Sequence, residues 1–195
     1  MKVLETDRLV LRWLNTDDAP FILELLNDPS FIRFIGDKGV RSLDDAGNYI
    51  LNGPVASYEK FGFGLYAVDL KEAQTTVGIC GVLKRDTLPH PDIGFAFLPA
   101  YWNKGYAYEA SAAVLEHARK NLGIDRVLAI TTPDNDASAK LLVKLGLRFD
   151  RLIKLSTDAD EVKLFTDAEV IGNHLRSGLK STQGYDAKHE WRRSN

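Results

Sequence analysis

The chain has 195 residues, 45% of them hydrophobic, enough for one good core with a small addition and short of what two full domains need. Its 25 basic and 27 acidic residues give a formal charge of −2, which offers no cationic footprint for nucleic acid. One cysteine, Cys80, excludes an internal disulfide and a cysteine-cluster metal site, and no apolar run approaches the roughly 20 residues that cross a bilayer.

The opening residues 1–9 lack the apolar centre of a secretion signal, so the expected setting is the cytoplasm, with no membrane contact. Arg8 to Leu14 alternates as a first strand, and Asn15, Thr16 and Asp17 offer caps for a short helix that ends near Asn27-Asp28-Pro29. Ser30 to Val40 reads as a loop. A second helix starts near Ser42 or Asp44 and runs toward Lys60, with Gly53-Pro54 expected to kink or split it. Gly64–Leu70 and Thr75–Lys84 read as a hairpin joined by residues 71–74, and Cys80 falls within it as a buried, inert thiol. After the turn Leu88–Pro91, Asp92–Leu98 forms a strand that breaks at Pro99. Residues 102–105 then form a loop, and Tyr106 to Asn121 is a helix with Ala110, Ala113, Val114, Leu115 and Ala118 on its inner face, stopped by Gly123. Its alanines are expected to let it lie close against a sheet. Arg126–Thr132 is a strand apolar enough to be buried on both faces, Asn135 or Asp136 caps a helix through Leu145, and Leu147–Leu155 and Glu161–Phe165 are the last strands. Residues 1–167 form one domain. The extension 168–195 is expected to be helical from Ala168 to Leu179 and loosely packed beyond Ser181.

The strand-to-helix passage around Gly105 carries chemistry. The first amides of a helix have no intrahelical acceptor and lie at the positive end of its dipole, so a glycine-bearing turn there is an anion site. Asn103, Lys104, Gly105, Tyr106 and Ala107 supply successive amides without a proline, and Gly105 has no Cβ to obstruct a phosphate. A helix start that only needs a tight turn explains the segment equally well.

Trp102 to Ala107 resembles the acyl-CoA pyrophosphate loop of the GCN5-related N-acetyltransferases, and Asn135 to Ser138 with Leu141 to Gly146 is similar to their second conserved helix. Ile93-Gly94-Phe95, Pro99, Trp102 to Ala110 and the opening Leu4 to Arg12 look most like the Rim-type branch, which acetylates protein N-termini, including those of ribosomal proteins. The match covers about residues 4–167. It implies an α+β fold with a mixed central sheet of about seven strands flanked by helices and splayed between the fourth and fifth. It also implies acetyl-CoA as co-substrate without a metal, an amine acceptor such as a protein N-terminus, and a monomer or homodimer. The strand Asp92–Leu98 would splay from its neighbour at a bulge, with the amides of Phe95, Phe97 and Leu98 receiving the thioester and pantetheine, while Asn135 bonds the pantetheine arm.

Two departures from the family pattern matter. Trp102 stands where the loop commonly begins with Gln or Arg, and Leu142 stands where many relatives place an acidic tyrosine. The resemblance then makes Ser138 the leading general acid, against its reading as an ordinary first-turn serine. Asp92 and His90 are the candidate bases, each also explicable as a turn or loop residue, and Glu109 serves the helix dipole or braces the loop. The acceptor side is expected beneath the loop from Ser30 to Gly39 and the helix after it, where Phe31, Phe34, Tyr49 and Tyr58 mix with Asp37, Asp44 and Asp45. Two other classes stay open on the same scaffold: an acetyltransferase for polyamines, amino acids or aminoglycosides, and a module that binds acyl-CoA without turnover.

Overall fold

The computed structural model describes residues 1–167, and the helix expected from Ala168 to Leu179, with the rest of the 168–195 extension, lies outside the described residues. Strands β1 (Lys2–Glu5), β2 (Leu9–Trp13), β3 (Leu65–Leu70), β4 (Thr75–Leu83) and β5 (Asp92–Phe97) form a five-stranded sheet in chain order, every neighbour antiparallel. Strands β6 (Ala129–Thr131), β7 (Leu147–Lys154) and β8 (Glu161–Asp167) form a second sheet in the order β6-β8-β7. A parallel bridge between Asp92 and Leu128 joins the two. The α+β class and the splay between the strands around 92–98 and 126–132 are as the sequence predicts. Among the described residues the strands number eight rather than about seven, because the short edge strand β1 has too few residues and too much exposed charge to alternate visibly.

Period-two alternation divides the core. Leu9, Leu11, Tyr66, Val68, Cys80 and Val82 pack on one face of the larger sheet with α5 (Tyr106–Asn121), while Ala67 and Ile79 face the opposite layer. That second layer is α1 (Ala19–Asn27), α2 (Pro29–Ile35) and α3 (Leu43–Ile50). Ala110, Ser111 and Ala118 of α5 are fully buried, and the Ser111 hydroxyl comes within 3.5 Å of the Cys80 thiol, so the small side chains do bring helix and sheet together. Burial pushes that thiol up to about 12, which leaves it protonated and inert.

Residues 30–35, in the stretch Ser30 to Val40 expected to be a loop, belong to the helix α2. Asp28 accepts from the Ser30 amide at 2.8 Å, Pro29 occupies the first turn, and Gly36 at φ 101° ends it. The same Asp28-Pro29 pair that stops α1 therefore starts the next helix, since proline at the first helical position loses no hydrogen bond. Ser42 and Asp45 form a capping box at the start of α3. Pro54 splits the following helix as expected, through a π-turn over Leu51–Val55 into α4 (Ala56–Phe61). Helix α6 (Asp136–Lys144) follows β6 through a short turn.

Candidate active site

The loop before α5 is shaped by two left-handed residues, Asn103 at φ 60° and Gly105 at φ 84°. Gly105 is the N-cap and gives no side-chain cap, so the first amides of α5 meet no capping group from their own cap residue. Residues 102–105 are exposed. Trp102 does more than replace a polar side chain: its indole N–H donates to the Phe97 carbonyl at 2.7 Å and ties the loop to the end of β5. Glu109, one turn into α5, accepts from the Thr6 hydroxyl at 2.5 Å, from the Arg8 amide at 3.0 Å and from Arg8 Nε at 2.7 Å. Burial pushes its carboxyl up, but the bonds from Thr6 and Arg8 outweigh that and leave it below the usual carboxylate range. Glu109 thus braces the loop.

Hydrogen-bond alternation assigns the groups along β5. The Ile93 amide donates to Leu128 at 2.8 Å, away from β4, while the Leu98 amide donates to Val77 at 3.1 Å, on the β4 side. Odd-numbered residues therefore turn their backbone groups toward the cleft, which places the amides of Phe95 and Phe97 on the open edge. Leu98 departs from expectation, since its amide is already taken. The bulge expected in this strand is also missing, as β4 and β5 pair in unbroken register from Gly78↔Phe97 to Leu83↔Asp92. The free edge arises because β6 pairs with β8 and, among the described residues, the backbone just before β6 bridges this strand only at its start, through Leu128 and Asp92.

Across the cleft, β6 turns directly into α6. Asn135 caps that helix, its side-chain oxygen accepting from the Ser138 amide at 3.0 Å, which leaves its amide nitrogen as a donor. Ser138 is half-buried on the first turn, and its hydroxyl has no hydrogen-bond partner among the described residues. Leu142 is buried, so the position of the missing tyrosine belongs to the core. A groove on another flank of α6 is lined by the apolar Ala139, Val143, Phe149 and Phe165 together with Lys140 and Lys163.

The two candidate bases separate. Asp92 does not sit at an open mouth: it is fully buried at the vertex where the sheets are joined, and both carboxylate oxygens accept from Arg85 Nε at 2.9 and 3.0 Å. Burial raises its pKa, and Arg85 opposes that shift. His90 lies half-buried in the connection before β5, its ring without a hydrogen-bond partner among the described residues.

The side chains expected to face the acceptor are largely committed to the fold's own architecture. Phe31 and Tyr58 are buried, and Tyr58 stacks on Trp13 while its hydroxyl bonds the Leu14 amide and the Leu65 carbonyl. Asp37 pairs with Arg41 at 2.5 Å, and Asp45 completes the α3 capping box. Of the expected set, Phe34, Tyr49 and Asp44 are left, with Tyr49 half-buried and near enough to Arg85 to feel its charge. An exposed ion pair that sequence spacing gives no hint of, Arg33 with Asp134 at 3.0 Å, joins α2 to the turn just before Asn135.

Residues 8–148 match the model of the acetyltransferase (GNAT) domain family. The chain is 29% identical over 154 residues to the uncharacterized N-acetyltransferase YoaA of Bacillus subtilis (strain 168), covering 78% of this chain and 86% of that protein. Its fold is similar to a solved RimL, the ribosomal L7/L12 alpha-N-protein acetyltransferase in complex with coenzyme A, with a TM-score of 0.68 at 14% identity over 85% of this chain and 97% of that one. It is equally similar to a spermidine N-acetyltransferase SpeG chimera from Vibrio cholerae and hSSAT, with a TM-score of 0.66 at 14% identity over 84% and 96% of the two chains.

Proposed function

Since the chain belongs to the acetyltransferase (GNAT) family, and is therefore an acyl-CoA-dependent acetyltransferase, we propose that it acetylates the free N-terminal amine of a protein or peptide. The reaction needs a neutral amine, a thioester held within attack distance, and a proton for the departing thiolate. The amine nitrogen attacks the thioester carbon, the carbon–sulfur bond breaks, and the thiolate takes up a proton as the amine loses one.

The residues present suit that co-substrate. Asn103 to Ala107 would hold the pyrophosphate on backbone amides, where a Cβ at Gly105 would approach Arg8 Nη2 to 3.3 Å. The amides of Phe95 and Phe97 would receive the pantetheine and thioester, with the Asn135 side chain beside them. Ser138 would protonate the thiolate, its uncommitted hydroxyl being the observation that carries this role. His90, or water it orders, would take the amine proton, since the Asp92 carboxylate is held by Arg85.

The acceptor assignment rests on the likeness of residues 4–12, 93–95, Pro99 and 102–110 to the Rim-type branch. The fold comparisons are neutral on it, for they include both a protein N-terminal and a spermidine acetyltransferase. Thiol release from acetyl-CoA, measured across peptides with small free N-terminal residues, polyamines, amino acids and aminoglycosides, tests it. Preferential turnover of the peptides is expected; efficient turnover of spermidine or an aminoglycoside with inert peptides would overturn it.

A further inference from the structure

Arg8 lies in the turn between β1 and β2 and reaches three parts of the donor loop at once. Its Nε donates to Glu109 Oε2 at 2.7 Å, its Nη2 forms an ion pair with the same oxygen at 2.6 Å, and its Nη1 donates to the Lys104 carbonyl at 3.0 Å. Its guanidinium carbon stands 4.6 Å from the centre of the Tyr106 ring, a cation–π contact with the first residue of α5. Thr6, from the same turn, bonds the other oxygen of Glu109 and also accepts from the Leu9 amide at 3.1 Å. Of the five N–H groups of a guanidinium, at least one on each terminal nitrogen stays without an acceptor among the described residues. Arg12, four residues along, is used differently: Asp18 and Asp69 consume it within the fold.

We propose that Arg8, oriented by Glu109 and Thr6, is a positioning residue of the donor site, fixing the 103–107 loop in its phosphate-accepting form. This inference rests on the assignment of that loop to the diphosphate of acetyl-CoA. The electrostatic reason is specific. An ionised Glu109 on the first turn of α5 would repel a diphosphate at the same helix end, and Arg8 cancels its charge at 2.6 Å. The steric reason is the Lys104 carbonyl, which Arg8 holds turned toward itself. Removing Arg8 therefore releases the loop and leaves an uncompensated carboxylate beside the anion.

The test compares two donors, acetyl-CoA and S-acetylpantetheine, the second of which has the thioester arm without the diphosphate, on one peptide acceptor. Arg8→Ala is expected to raise KM for acetyl-CoA about ten- to hundredfold, the range of one or two lost charge-assisted bonds, with kcat/KM for acetylpantetheine within about twofold of the parent. Arg8→Ala combined with Glu109→Gln should recover part of that loss, because the repelling charge is gone. Should Arg8→Ala not fold, Glu109→Gln keeps the shape and should show a smaller selective loss on acetyl-CoA. Equal losses on both donors, or an unchanged KM for acetyl-CoA, would overturn the proposal. A parent enzyme that uses both donors with the same kcat/KM would instead overturn the loop assignment beneath it.

Discussion

On the wall of the cleft proposed for the donor the offered groups are backbone: helix-start amides shaped by Asn103 and Gly105, and the edge of β5 at Phe95 and Phe97. On the wall proposed for the acceptor, α2, α3 and their connection offer side chains, and most are already engaged: Phe31 and Tyr58 in the core, Asp37 on Arg41, Asp45 in a cap. A backbone-made site follows from dihedral requirements and a helix start, both local in sequence. A side-chain-made site consists of whatever tertiary packing leaves over, which only the assembled fold decides. The family's shared donor and varied acceptors are what such a division permits.

The vertex between the walls gives the harshest way to break this contrast. Arg85→Ala leaves the buried Asp92 unpaired, and unfolding by denaturant should show a loss of about 3 kcal/mol at neutral pH, the low end for breaking a buried pair because Arg85 is partly solvated. Burial raises the folded pKa of Asp92, and without Arg85 nothing from that side chain opposes it. A raised folded pKa gives stability that is present below the unfolded value of about 3.9 and lost as pH rises through the folded one. The deficit should therefore be small in acid and grow toward neutrality. A deficit independent of pH would mean that Arg85 acts through packing alone.

Ser138→Ala probes the donor wall. Turnover should fall about a hundredfold, the low end for a general acid, while KM for acetyl-CoA stays nearly unchanged, because the hydroxyl is proposed to act on the leaving thiolate. Unchanged turnover under conditions where chemistry limits the rate would return Ser138 to an ordinary helix-start role. The smallest effect belongs to the acceptor wall. Arg33→Ala removes an exposed ion pair with Asp134, so stability should move by less than about 1 kcal/mol, and any change in KM should fall on the acceptor. A change confined to KM for acetyl-CoA would mean that the two walls are not separable.

The sequence makes the donor half legible for these reasons. The switch from period two to period 3.6 across Pro99 locates the loop, Gly105 supplies the dihedral, and the alanines of α5 announce a close-lying helix. What escapes is tertiary. Arg8 and Glu109 are 101 residues apart, so no spacing rule joins them. Residues 30–35 read as part of a loop because one Asp-Pro pair both ends α1 and begins α2. Leu98 reads as a free donor until the register of β5 against β4 turns its amide toward Val77, and Asp92 reads as an accessible base until the sheets close around it. Register and burial arise from strand pairing between distant segments, which a single strand's pattern does not contain.

Amide hydrogen exchange with and without coenzyme A tests the backbone-made donor site most directly, because amides that bond a ligand exchange more slowly. Peptides covering residues 95–108 are predicted to gain protection, together with the start of α6 around residues 135–138, while those covering residues 29–50 stay unchanged. Protection confined to residues 29–50, with the 103–108 amides exchanging as in the free protein, would contradict the account.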